Sequence, residues 1–233
     1  GRGSMKVLFF SFFIALLAQV ANADIDSCHY TKGRFVVIQD GVRQTQNVDD
    51  DFAWGLARCS LKLAALYDGD DLFVFNDDTS RFERHFADDG FDGHSLRVTR
   101  HVVGFYDGDD FLIFDRAKNS FTRHFADDLF EFSSMRGFRG GMGFYDGDDF
   151  IVYERENGGF TRHFADDLFE TSDMARFPNG LLFYDGDDII SFCDGSFSRT
   201  FADDGETAFS GFQSLQVGDE IYRLTEDCDI ERL

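Results

Sequence analysis

Tyr67-Asp68-Gly69-Asp70-Asp71 runs directly into the apolar stretch Leu72-Phe73-Val74-Phe75, and the same motif returns from Tyr106, Tyr145 and Tyr184 at a constant spacing of 39 residues. Each copy is followed by an apolar run, a polar turn such as Asn76-Asp77-Asp78-Thr79, and then Phe-Ala-Asp-Asp from Phe86, Phe125, Phe164 or Phe201. A period near 40 residues marks a solenoid or a propeller. Asp-Gly between two apolar runs predicts a two-residue hairpin in a primed turn. The strand after it is apolar on both faces, as expected of a sheet covered by a neighbour on each side. Ser120-Phe121-Thr122-Arg123-His124-Phe125 alternates and reads as a third strand. A fourth falls in the variable region, for example Ser95-Leu96-Arg97-Val98-Thr99. Asp128-Leu129-Phe130-Glu131 reads alternatively as the cap of a short helix.

The two ends complement each other. Phe35-Val36-Val37-Ile38, followed by Asn47-Val48-Asp49-Asp50-Asp51, matches the second half of a unit; Gln216-Val217-Gly218-Asp219-Glu220-Ile221-Tyr222-Arg223-Leu224 matches the first half. The expectation is an all-β fold: a closed five-bladed β-propeller of four-stranded blades, with one blade shared between the termini. Residues 1–4 read as a cloning remnant. Residues 5–23 read as a signal peptide, an apolar run after Lys6 ending in Ala21-Asn22-Ala23. Residues 24–233 then form one domain, expected to be secreted into an extracellular or periplasmic space, without a membrane span.

Four cysteines in an exported chain suggest two disulfides. In a ring with a shared blade, Cys28 would meet Cys228 and lock the closure, and Cys59 would pair with Cys193. Cys28 with Cys59 remains an alternative. The formal charge of −22 repels nucleic acid and attracts cations and basic proteins.

Five units in a terminus-sharing ring resemble the five-bladed propeller lectins of the tachylectin type. The Tyr-x-Gly-Asp-x-apolar hairpin is also similar to blades of hemopexin-like domains, which have four. The resemblance concerns architecture, and no site residue is carried over from either family.

The Asp-Gly turn and Phe-Ala-Asp-Asp are two strands apart and so lie at the same end of each sheet, which makes that end acidic. Asp68, Asp70, Asp71, Asp107, Asp109, Asp110, Asp146, Asp148, Asp149, Asp185, Asp187 and Asp188 are candidate calcium ligands, hard oxygen donors in a tight loop. The plainer reading makes them turn and edge residues. Tyr67, Tyr106, Tyr145 and Tyr184 are candidates for stacking on a sugar, or else pack inside the blade. His85, His124 and His163 are candidates for ligand contact, or else pack beside a carboxylate. Arg84, Arg123, Arg162 and Arg199 read as partners of the turn aspartates. The phenylalanines read as core between blades.

Chemically interesting residues come as equivalent copies, whereas a catalytic set is assembled once from unlike residues. The pattern therefore points to multivalent binding. Lectin-like recognition of glycans comes first, docking of a basic protein surface second, and a propeller hydrolase last.

Overall fold

The computed structural model describes residues 24–48, 56–87, 95–126, 135–147, 149–165, 174–202, 208–211 and 213–233, and among them every extended regular element is a β-strand. Sheet 1 comprises β1 (Ile25–Tyr30), β2 (Arg34–Gln39) and β3 (Val42–Asn47). Sheet 2 comprises β4 (Arg58–Cys59), β5 (Leu63–Tyr67), β6 (Asp71–Asn76) and β7 (Arg81–Phe86). Sheet 3 comprises β8 (Arg97–Val98), β9 (Val102–Tyr106), β10 (Asp110–Asp115) and β11 (Ser120–Phe125). Sheet 4 comprises β12 (Arg136–Phe138), β13 (Gly141–Tyr145), β14 (Asp149–Glu154) and β15 (Gly159–Phe164). Sheet 5 comprises β16 (Met174–Arg176), β17 (Gly180–Tyr184), β18 (Asp188–Cys193) and β19 (Ser196–Phe201). Sheet 6 comprises β20 (Ala208–Gly211), β21 (Ser214–Val217), β22 (Glu220–Leu224) and β23 (Ile230–Arg232). Within every sheet the strands pair antiparallel in chain order, an arrangement consistent with the blades of a propeller.

Alternation explains how the sheets stack. In sheet 2, Leu66, Phe73 and Phe75 face sheet 1 and pack on Phe35 and Val37. Their neighbours Tyr67, Leu72 and Val74 face the other way, onto Val103, Phe105 and Phe114 of sheet 3. The pattern continues through Phe111 and Phe144 between sheets 3 and 4, Phe150 and Phe183 between sheets 4 and 5, and Ile189 and Leu215 between sheets 5 and 6. Second and third strands of sheets 2–5 are therefore buried on both faces, as their uninterrupted apolar runs require. The fourth strands alternate exposed and part-buried residues and form the outer edge. The first strands are short and lie against one another from sheet to sheet, so the sheets fan out from a common inner edge.

Three expectations are corrected. First, the ends do not share a sheet. The residues before Arg34 form β1, which pairs with β2, and the residues after Leu224 reach β23, which pairs with β22. The described strands thus make six sheets rather than five. Pairing with a strand a few residues away closes a much shorter loop than pairing with the opposite terminus, and this favours the local solution. Among the described residues, ring closure is not seen at sheet 6 either. Leu215, Val217, Tyr222 and Leu224 are buried toward sheet 5, while Gln216, Ile221 and Arg223 on the other face are exposed.

Second, the disulfides are Cys28–Cys59 and Cys193–Cys228. Each clips a terminal sheet to its inner neighbour, the alternative for Cys28 rather than the closure bond. Third, the hairpin turn is shifted by one residue. Tyr67 pairs with Leu72, so the central pair is Gly69-Asp70, with glycine first at φ +113°. That is the position at which a type II′-like turn demands glycine. Ser95-Leu96-Arg97-Val98-Thr99 does contain a strand, β8, which pairs with β9 as the first strand of its sheet. Asp128-Leu129-Phe130-Glu131 lies outside the described residues.

Candidate functional site

The first aspartate of each motif caps its own turn. The Asp71, Asp110, Asp149 and Asp188 amides donate to Oδ1 of Asp68, Asp107, Asp146 and Asp185 at 3.0, 2.8, 2.9 and 2.9 Å. A side chain thus replaces the carbonyl that normally closes a β-turn. The tyrosine before it is buried in every copy, and its hydroxyl donates to the carbonyl of the turn glycine, at 2.5 Å for both Tyr67–Gly69 and Tyr106–Gly108. Tyr145 and Tyr184 bond Gly147 and Gly186 in the same way. Stacking on a sugar requires an exposed ring face. The structure places these four rings between sheets, and they build the turn.

The second motif docks on the first. The amides of Ala87, Ala126 and Ala202 donate to the carbonyls of Asp70, Asp109 and Asp187 at 2.8, 3.0 and 2.9 Å. The two motifs therefore meet at one end of each sheet, as strand alternation requires. The aspartates that follow these alanines, and Asp148, lie outside the described residues.

Asp68, Asp70 and Asp71 bring one carboxylate oxygen each within 4.8 Å of one another, and so do Asp185, Asp187 and Asp188. Burial and crowding act together at Asp185. Burial, reinforced by the charge of Asp187 and a hydrogen bond with it, pushes its carboxyl up to about 6. Burial also raises Asp107. The last aspartate of each motif is neutralised from within. Arg84, Arg123, Arg162 and Arg199 reach across from the fourth strand to Asp71, Asp110, Asp149 and Asp188. This agrees with the Arg–Asp pairing read from the sequence. With the guanidiniums largely in water, solvent screens each pair and it contributes little to stability.

His85, His124 and His163 point the other way along the same strand. They stack on Phe121, Phe160 and Phe197 of the next sheet at ring distances of 4.7, 4.8 and 5.0 Å. Desolvation in that stack depresses their basicity. Thr200 breaks the series where the next sheet is sheet 6, whose fourth strand β23 is Ile-Glu-Arg. These histidines are half-buried packing residues between sheets.

One feature was missed from the sequence. Phe86, Phe125, Phe164 and Phe201 are 64%, 73%, 73% and 71% exposed, although phenylalanine was read throughout as core. Each lies directly across from the paired aspartate: Phe86 from Asp71, Phe125 from Asp110, Phe164 from Asp149, and Phe201 from Asp188. Each also stands two residues after the paired arginine, on the same face of the strand. Four copies of an exposed ring beside a guanidinium–carboxylate pair therefore line the outer strands. The available signal was the register: in Phe82-Glu83-Arg84-His85-Phe86 the last phenylalanine falls opposite the turn residue Asp71, at the end of the sheet, whereas Phe82 on the same face falls opposite Phe75.

No family model matches the chain, and no curated protein matches it. Among solved structures it is similar to Kluyveromyces lactis Hsv2, at 12% identity and a TM-score of 0.45, covering 84% of this chain and 70% of that one. It is also similar to U3-55K, at 10% identity and a TM-score of 0.43, covering 91% and 81%. A third is PorZ, a surface component of the type-IX secretion system of Porphyromonas gingivalis, at 8% identity and a TM-score of 0.38, covering 91% of this chain. The chain spans 33% of the length of PorZ.

Proposed function

We propose that this is a secreted, multivalent binding protein with lectin-like recognition of glycans, and that its equivalent sites lie on the outer strands. The observation that carries the proposal is the fourfold repetition of an exposed phenylalanine beside an Arg–Asp pair: Phe86 with Arg84 and Asp71, Phe125 with Arg123 and Asp110, Phe164 with Arg162 and Asp149, and Phe201 with Arg199 and Asp188. An aromatic face covers the C–H side of a sugar ring, and a guanidinium and a carboxylate together donate to and accept from its hydroxyls. Four shallow sites gain from effective concentration what each lacks in affinity. Two disulfides and the apolar leader support export into an oxidising compartment.

Calcium at the crowded aspartates of sheets 2 and 5 belongs to the same proposal, because a hard cation would relieve the repulsion there. Docking of a basic protein is the second reading, favoured by the formal charge of −22.

The test is a glycan array probed in calcium and again in chelator, with wild type and with Phe125→Ser. The single variant is expected to keep its fold and lose avidity severalfold, and Phe86→Ser combined with Phe125→Ser, Phe164→Ser and Phe201→Ser to lose binding. Glycan binding that survives the quadruple variant sinks the outer-strand sites. No glycan binding by wild type, with salt-sensitive capture of a basic protein, favours the second reading.

A further inference from the structure

We propose that the cavity where sheets 4, 5 and 6 meet is a binding site for a short peptide with free termini, its carboxylate held by Arg139 and Arg155 and its ammonium by Asp194 and Glu226. The cavity has a volume of about 1130 Å³ and is formed by turns at the end of the sheets opposite the Asp-Gly hairpins. That is ample for a drug-sized ligand. Sheet 4 contributes Arg139 and Arg155, sheet 5 contributes Asp194, and the turn after β22 contributes Glu226. Two cations and two anions thus line one cavity, and among the described residues none of the four has an ion-pair partner.

The repeat explains why Arg155 is left over. Asp77, Arg116, Arg155 and Asp194 occupy one repeat position, and the amides of the first three donate to the carbonyls of Lys62, His101 and Gly140. In sheets 2 and 3 the charges cancel: Lys62 Nζ lies 2.9 Å from one oxygen of Asp77, and Arg116 Nε lies 2.7 Å from the other. In sheet 4 the series sets a second arginine after Arg116, with no carboxylate paired to it, and Gly140 stands where sheets 2 and 3 have Lys62 and His101. Arg155 Nε is buried without a hydrogen-bond partner. The gathered cations act on His101, whose basicity is lowered by burial first and then by the charges of Arg155, Arg116, Arg100 and Arg139. A partly desolvated guanidinium without a carboxylate costs free energy, and an anionic group placed against it offsets that cost.

The other charges of the lining are engaged or peripheral. Arg223 pairs with Glu231, Glu154 Oε2 accepts from Asn157 and Thr161, and Glu156 is exposed on its turn. The unpaired cations therefore belong to the sheet 4 wall, and the unpaired acids to the walls of sheets 5 and 6. Asn179 ties those two walls together by donating to the Thr225 carbonyl at 2.8 Å. Walls of opposite sign select a dipolar ligand over a plain anion or a plain cation. Arginine suits a terminal carboxylate because its planar fork grips it in two-point contacts. Phe138, Phe177 and Leu224 form a buried apolar floor, with Pro178 exposed beside it, which suits an aliphatic side chain. The site is at the opposite end of the sheets from the exposed phenylalanines and does not rest on the glycan reading.

The test is calorimetric titration of the full, disulfide-intact chain at low salt with the tripeptide Ala-Leu-Ala in three forms: free at both ends, acetylated at the amino end, and amidated at the carboxyl end. Expected is saturable binding of the free form, weakened at least tenfold by either block. Arg155→Gln should weaken the free form at least tenfold and leave the amide unchanged. Asp194→Asn combined with Glu226→Gln should weaken the free form likewise and leave the acetylated form unchanged. Arg123→Gln, which removes an outer-strand arginine, should change nothing. Because Arg155 has no ion pair to lose, Arg155→Gln should melt no lower than wild type, which separates loss of the site from loss of fold. The blocked peptides test the same contacts on the unaltered protein. No binding of the free peptide to wild type, equal binding of all three forms, or binding unaffected by these variants overturns the proposal. Loss of glycan binding in the phenylalanine variants has no bearing on this outcome.

Discussion

At the scale of single residues, all four turns share a structural role, and in two of them, at Asp107 and Asp185, burial adds an electrostatic cost that Asp185 shows best. Its Oδ1 accepts the Asp188 amide, which fixes the turn, yet the carboxyl is buried beside Asp187 and titrates at about 6 rather than near 3.8. Between those two values the folded chain takes up a proton before the unfolded chain does, so stability rises as pH falls through the window. The gain is complete below about 3.8 and absent above about 6. Asp185→Asn keeps the acceptor oxygen and removes the charge. It should stabilise the protein at pH 7 by on the order of 1–2 kcal/mol, with the difference fading near pH 4. Urea unfolding of both proteins at several pH values reads this directly, and equal stability at pH 7 would refute the crowding argument. If calcium occupies the cluster, wild type should instead gain stability from the ion and the variant should not. The stacked histidines act in the opposite direction. Their folded basicity lies below the ordinary value of 6.5, so their contribution is present above that pH and declines as pH drops past it.

At the scale of elements, the strands that carry a motif were legible in the sequence: an uninterrupted apolar run such as Leu72-Phe73-Val74-Phe75 lies between an Asp-Gly turn and a polar turn, and an alternating run such as Ser120–Phe125 follows that turn. Of the strands without a motif, β8 was legible within residues 95–99, whereas β1 and β23 were not. β1 and β23 have neither flanking signature, and without them the two ends looked like halves of a single blade. The exposure of side chains was equally hidden. Phe82 and Phe86 share a strand face, but Phe82 packs against sheet 1 whereas Phe86 extends past the covered width of the sheet. Only the register, with Phe86 opposite the turn residue Asp71, distinguishes them. The disulfides follow from the same local pairing. Once each terminal sheet forms by itself, its inner neighbour is the surface within reach of its cysteine. Sequence separations of 31 and 35 residues correspond to roughly 3–4 kcal/mol each by loop entropy. Replacing Cys28 and Cys59 by serine should therefore loosen sheet 1 selectively. Hydrogen exchange should accelerate through β1–β3 while the amides of β9, β13 and β17 keep their protection. Uniform acceleration across all sheets would show that the clip stabilises the chain as a whole and not one element.

At the scale of the whole molecule, sheets 2–5 each have a packed neighbour on both sides, whereas sheet 6 has one covered face and one exposed face. A stack in which each unit touches only the next behaves as a one-dimensional array, with the stability of a unit set by its own fold and by the interfaces it makes. Units at the ends have fewer interfaces, and here each end is fastened by a disulfide to the unit inside it. In an open stack the two bonds would compensate for the missing interfaces, which makes the pattern of unfolding a test of closure. In an open stack, reducing both disulfides should uncouple the ends. Calorimetry should then resolve an early transition for sheets 1 and 6 and a later one for sheets 2–5, with a calorimetric enthalpy above the van't Hoff value. In a closed ring, sheets 1 and 6 would be neighbours, every unit would have two interfaces, and reduction would lower a single transition without splitting it. The exposed Gln216, Ile221 and Arg223 on the free face of sheet 6 favour the split. A single cooperative transition after complete reduction would mean that this face is covered in solution and that the six sheets close into a ring.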